Sequence, residues 1–124
     1  MGNIETQLDL ANDLTIITAD GKMSASDFQK WTASYYTGRV TSLAIWDLTR
    51  ADLSDINSDD LREDAVRTKS LAGARKGGKT AIVSRKPLEF GLGRMLEAFY
   101  KIEDMPFDVQ TFHSIDEAKD WLGI

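Results

Sequence analysis

The sequence predicts an α/β domain in which an N-terminal β-hairpin leads into a mostly parallel five-stranded sheet with about four helices. Apolar segments of strand length alternate with segments of helical period along nearly the whole chain. The helical segments carry start signals, among them Ser24 with Asp27, Pro87, and Ser114 with Glu117. The later strands have nearly continuous apolar centres, as expected of a sheet covered on both faces.

Each element follows from its residues. Ile4, Thr6, Leu8 and Leu10 alternate with Glu5, Gln7 and Asp9, which reads as a strand with one wet face. Ala11-Asn12-Asp13 is turn chemistry, and Leu14 to Ala19 returns as the second strand of the hairpin. Asp20-Gly21 is expected to break that strand. The first helix buries Phe28, Trp31 and Tyr35 and ends at Gly38. Thr41 to Asp47 is the third strand, with residues 48–57 as a polar loop. A second helix runs from Ser58 to about Arg75, and its apolar positions, Leu61, Ala65 and Ala72, are small and few. Thr80 to Ser84 is a buried strand. The third helix, from Pro87, has the best periodicity: Leu88, Leu92, Met95, Leu96, Phe99 and Ile102. Phe107 to Phe112 is the last strand. The last helix follows Ser114, turns Ile115, Ala118, Trp121 and Leu122 inward, and stops at Gly123.

The 124 residues suit one domain spanning residues 1–124. The absence of Cys excludes a disulfide framework, a thiolate metal site and a cysteine nucleophile, and fits a cytoplasmic location. The first residues hold no basic n-region and no long apolar run, so neither a secretory signal nor a membrane span is expected. The formal net charge of -5 argues against nucleic-acid binding. That charge is uneven: residues 62–86 carry eight basic and two acidic side chains, between flanks that are both acidic.

Two strings invite a nucleotide-binding reading. "GARKGGKT", Gly73 to Thr80, matches G-x-x-x-x-G-K-[ST]. Its context is inverted, because a phosphate loop follows a strand and opens a helix. Here a helix ends at Gly77-Gly78 and a strand begins at Lys79-Thr80. The nearby lysines and Arg75 are expected to offset the helix C-terminus and solvate the turn. In "FGLGRM", Gly91-x-Gly93 lies inside a helix, where close approach to a neighbour explains it better.

The order of elements, "KTAIVSRKPLEFGLGRMLEAF" and "FDVQTFHSIDEAKDWLGI" together resemble the STAS-like domains, and most of all their SpoIIAA-like (STAS/SEC14-type) subgroup. The features that carry this are the buried strand Lys79 to Ser84, then Phe90-Gly91 and Arg94-Met95, then Phe112, Glu117-Ala118 and Trp121-Leu122. The resemblance implies a non-enzymatic, regulatory role: binding a protein partner or a small anionic or lipid-like ligand, with no cofactor. Anti-sigma-factor antagonists of this type carry a phosphorylatable Ser in a D-S-S-G-type motif after the strand equivalent to Leu43–Asp47. This chain has "DLTRADLSDINSDDL" there, with Thr49, Ser54 and Ser58 as the nearby hydroxyls.

Candidate functional residues fall into two groups. Asp20 and Asp47 are expected at the C-terminal ends of strands, the edge where open α/β sheets bind ligands. They serve the alternative reading of a small enzyme using carboxylates, and equally suit turn chemistry. Phe90 and Arg94, four apart on the outer side of the third helix, with Gly91 and the upstream Arg85 and Lys86, form a candidate interaction edge for an acidic or anionic partner or a second copy of the chain. His113, the only histidine, precedes a helix cap and reads as a surface residue.

Overall fold

The alternation and cap signals produce every expected element in the computed structural model, which describes residues 2–124. β1 (Asn3–Asp9) pairs antiparallel with β2 (Leu14–Lys22). α1 (Ala25–Thr37), β3 (Leu43–Asp52), α2 (Ser58–Leu71), β4 (Lys79–Val83), α3 (Pro87–Ile102), β5 (Asp108–Phe112) and α4 (Ile115–Leu122) follow. The sheet order is β1-β2-β3-β4-β5, and β2 to β5 are mutually parallel. Strands that are neighbours in sequence are neighbours in space, so each crossover helix returns on the same face.

α1, α2 and α3 cover one face, where Phe28, Leu61, Leu92 and Leu96 meet Ala19, Leu48 and Ile82 of the sheet. α4 covers the other alone, setting Ala118 and Leu122 against Leu14, Ile45, Ala81 and Val83. The capping boxes form: the Ser24 hydroxyl accepts from Asp27 N–H and Asp27 accepts from Ser24 N–H. Asn57 and Asp60 do the same for α2. Ser114 accepts from Glu117 N–H, and Gly123 closes α4 at φ 80°, in the left-handed region that favours glycine.

Four sequence expectations are corrected. β2 and β3 run past Asp20-Gly21 and through residue 52, because Asp20, Gly21 and Lys22 pair with Arg50, Ala51 and Asp52. A register shift after Thr18 and a left-handed Gly21 at φ 86° absorb the expected break. Much of the polar loop at residues 48–57 is therefore strand, and Leu48, Ala51, Leu53 and Ile56 from it are buried. In β1 only Ile4 reaches the core; Leu8, and Leu10 just beyond the strand, are exposed.

The third correction concerns α3, whose buried positions are Glu89, Leu92 and Gly93. Leu88, Met95 and Ile102, expected inside, are exposed. The helix is turned because Glu89 accepts from Leu53 N–H at 3.0 Å and because Gly93 sits directly on β4 and β5. A Cβ at Gly93 would lie 2.9 Å from Thr111 Cγ2 and 3.2 Å from Ile82 Cγ2. Gly93 makes the close approach expected of Gly91-x-Gly93, while Gly91 faces open space.

The fourth correction is Arg75. It does not solvate the turn after α2: it is 3% exposed. α2 ends at Leu71, and a 3-10 turn (Ala72–Arg75) folds the side chain under the sheet. The rest of "GARKGGKT" is a helix-to-strand joint. Gly77 takes φ 81°, and Gly78 packs on the carbonyl oxygens of Ser42 and Arg75, where a side chain has no room. Lys79 opens β4, donates to the Trp121 carbonyl at 3.1 Å at the end of α4, and lies 5.1 Å from the Trp121 ring centre. It serves the C-terminus of a helix, not a phosphate.

Candidate functional site

Between the sheet and its three-helix face lies a cavity of about 120 Å³. Small residues leave the space: Ala44 on β3, Thr80 on β4 and Gly93 on α3 all line it. Large residues form its walls. α1 contributes Phe28, Trp31, Tyr35 and Tyr36, β3 contributes Trp46, and Leu48, Leu53 and Ile56 close one end. The aromatics brace one another, with Trp31 stacked on Tyr35 at 5.0 Å and edge-on to Trp46 at 4.7 Å.

α1 contributes no fully buried residue. It is held by these half-exposed rings and by two hydrogen-bond ties. Trp31 Nε1 donates to Thr6 Oγ1 at 2.8 Å, and the Tyr35 hydroxyl accepts from Thr41 N–H at 3.0 Å.

Away from these residues the cavity is polar. α2 lines it there with Asp64, Arg67 and Thr68, and Arg75, Thr80 and Tyr100 also reach it, while Asp60 lines the cavity from the first turn of α2, close to Ile56. Tyr100 O–H donates to Asp64 Oδ2 at 2.7 Å. Burial pushes the Asp64 carboxyl above the ordinary Asp value, against the opposing pull of the Tyr100 hydrogen bond and the Arg67 charge. Burial, reinforced by the charge of Asp64, holds the Tyr100 phenol well above its usual value. Tyr36 is raised by burial too, and Arg75 beside it works the other way.

Arg75 is the fixed cation of this end. Its Nε donates to Thr41 O at 2.9 Å, and its two terminal nitrogens donate to Thr80 Oγ1, Ser42 O and Lys79 O. The guanidinium packs over the Phe107 ring. No carboxylate pairs with it among the described residues. Its charge is spread over neutral acceptors and an aromatic face.

The sequence-predicted residues lie elsewhere. Asp20 forms a 3.4 Å ion pair with Arg50 at the surface. Asp47 sits within β3, not at its end, and its Oδ1 accepts from both the N–H and the hydroxyl of Thr49. Neither aspartate lines the cavity. Ser54 is exposed and donates its N–H to Asp52, and Ser58 is the exposed first residue of α2.

At the α3 edge, Phe90 is half-buried and stacks on His113 with ring centres 4.0 Å apart and planes 6° from parallel. Arg94 is exposed and lies 3.6 Å from Glu97 Oε2. Lys86 is tied by its ammonium to the Ala51 carbonyl, while Arg85 and Gly91 are exposed. The structure thus keeps Phe90 and Arg94 on one side of α3 but commits Lys86 to the end of β3.

The polar cavity residues were missed from sequence. A signal existed: α2 is a full-length helix with too few apolar positions. Its inner face, Leu61, Asp64, Ala65 and Thr68, keeps helical spacing only when the polar residues are counted.

Among the described residues no cluster of three or more His, Asp or Glu side chains is placed to hold a metal ion. Among the described residues no helix is long and apolar enough to cross a membrane.

Among the solved structures that match this chain, two do so along almost its whole length. A protein of the DUF3478 family with a SpoIIAA-like fold, from Shewanella loihica PV-4, superposes with a TM-score of 0.60 at 19% identity, covering 98% of this chain and 93% of that one. An anti-sigma factor antagonist from Mycobacterium paratuberculosis superposes with a TM-score of 0.62 at 12% identity, covering 100% and 96%. No family model and no curated protein matches the chain. The chain therefore has the SpoIIAA-like, STAS-like fold that its residues resemble.

Proposed function

We propose that this chain is a non-catalytic binding module whose cavity takes a small, largely apolar ligand. The observation that carries this is the cavity of about 120 Å³, walled by aromatic and aliphatic side chains with its polar groups gathered at one end. Ligand sites are mostly apolar concavities in which a few placed polar groups orient the guest. The volume suits one ring or a short chain, since an engineered apolar cavity of about 150 Å³ holds benzene. Of the ligands that the family resemblance implies, this favours the apolar kind. The enzyme alternative loses support, because Asp20 and Asp47 are each engaged in a local pair outside the cavity.

A regulatory role adds a protein partner. The fold is shared with an anti-sigma factor antagonist, which supports a module that acts by binding other proteins. The surface proposed for this is the α3 edge with Arg85, Phe90, Gly91 and Arg94, for a partner or a second copy of the chain. α3 contributes Leu92, Gly93, Leu96 and Tyr100 to the cavity and Phe90 and Arg94 to that edge, so a bound ligand and a bound protein share one helix.

The test of the cavity is a ¹H–¹⁵N titration with toluene. Shifts are expected at the Trp31 and Trp46 indoles and along α1 and α3, saturating at millimolar concentration or below. A spectrum unchanged by toluene means that the cavity is not a ligand site.

A further inference from the structure

We propose that the polar end of the cavity recognises a neutral hydrogen-bond donor, so that the ligand class is a small single-ring phenol. This rests on the reading of the cavity as a ligand site and specifies the head group it selects.

The wall carries both signs of charge: Asp64, Arg67 and Arg75, with Asp60 in the first turn of α2. Arg75 offers an anion little, because four of its five N–H groups already donate to Thr41, Ser42, Lys79 and Thr80, and Tyr36 lies beside it. A carboxylate would find this cation occupied and the carboxyl of Asp64 in the same wall. An ammonium would meet Arg67 and Arg75 and would shed its hydration into an apolar space.

Asp64 offers the complementary chemistry. Its Oδ2 accepts the Tyr100 O–H at 2.7 Å, while its Oδ1 accepts no hydrogen bond among the described residues. That oxygen belongs to a side chain that lines the cavity. A phenol places its ring against the wall and its O–H on this acceptor, with no net charge to bury. Ring and hydroxyl together match the volume of about 120 Å³.

The experiment compares toluene, phenol, benzoate and benzylammonium by ¹H–¹⁵N titration of the wild-type chain. Phenol is expected to bind about tenfold more tightly than toluene, the worth of one hydrogen bond to a carboxylate. Benzoate and benzylammonium are expected to bind more weakly than toluene. In Asp64→Asn, the Tyr100 O–H keeps the amide oxygen and the amide N–H₂ turns to the cavity. The phenol advantage should vanish and acetophenone, an acceptor, should gain. Tyr100→Phe leaves both carboxylate oxygens open and should keep the phenol preference, which covers the case in which Asp64→Asn does not fold. Equal binding of phenol and toluene overturns this proposal while leaving the cavity a ligand site. Tightest binding of benzoate or benzylammonium overturns it as well. Binding of none of the probes overturns the cavity reading itself.

Discussion

The Arg75 guanidinium lies 4.3 Å from the centre of the Phe107 ring, and the same group gathers the carbonyls of Thr41, Ser42 and Lys79. One side chain thereby joins the loop before β3, the start of β4 and the start of β5. Arg75→Met keeps much of the bulk but removes four hydrogen bonds, although Thr41 O keeps the Tyr35 hydroxyl and Ser42 O keeps the Lys79 N–H. The expected loss is about 2 kcal/mol or more, at roughly 0.5–1.5 kcal/mol for each hydrogen bond removed. Arg75→Lys, with three donors and no fork, should lose less. Urea unfolding measures both, and a loss under about 1 kcal/mol for the Met variant would mean that water replaces the guanidinium.

Gly91 and Gly93 share one helix and should respond in opposite senses. Gly91 faces open space, so Gly91→Ala is expected to stabilise by about 0.5–1 kcal/mol through helix propensity. At Gly93 a Cβ meets Thr111 and Ile82, and Gly93→Ala should destabilise by about 1–3 kcal/mol through overpacking. Thermal melts of the two variants give the signs directly, and the same sign for both would contradict the α3 packing.

Asp64 should make stability depend on pH. Its carboxyl is raised in the folded state, mainly by burial. Between the ordinary Asp value and the raised one, the folded chain holds the proton more firmly than the unfolded chain. Stability from this group therefore falls as pH rises through that window and levels off above it. Asp64→Asn keeps an acceptor for Tyr100 and has no proton to lose. Its melting temperature should exceed wild type most at neutral pH, and the gap should close on acidification toward the ordinary Asp value. A gap that stays constant with pH would show that the carboxyl is not perturbed.

Lys79→Ala tests the phosphate-loop string. Loss of the ammonium from the Trp121 ring and carbonyl should cost about 0.5–1 kcal/mol, the range of an exposed cation–π contact. ATP and GTP titrations should be silent for wild type and variant alike. Micromolar nucleotide binding that disappears in the variant would reverse the assignment of this joint.

Strand order, helix order and caps were legible because they rest on local chemistry: period-2 and period-3.6 patterns, Ser24, Pro87 and Gly123. The inner face of α3 was not. Its phase is decided by Glu89 meeting Leu53 N–H, 36 residues away in the chain, and by a glycine whose value lies in having no side chain. Hydrophobic periodicity instead selects Leu88 and Met95, which are exposed. Arg75 fails for a related reason. A cation after a helix C-terminus ordinarily faces water, and the three carbonyls brought to it by the loop before β3 and the start of β4 offset the cost of its burial. The aspartates at Asp20 and Asp47 look like strand-end residues only if β2 and β3 stop early, and the pairing of Asp20, Gly21 and Lys22 with Arg50, Ala51 and Asp52 carries both strands onward.

α1 lies over the cavity without a single fully buried residue, anchored by rings that remain half in solvent and by the Thr6 and Thr41 hydrogen bonds. A segment so attached opens at a lower free energy than the sheet beneath it. Its amides should exchange with solvent well ahead of those of β3 and β4. A guest bound underneath would slow exchange across α1 by a factor that grows with its concentration. Deuterium uptake would thus report occupancy of the cavity without any assay of activity.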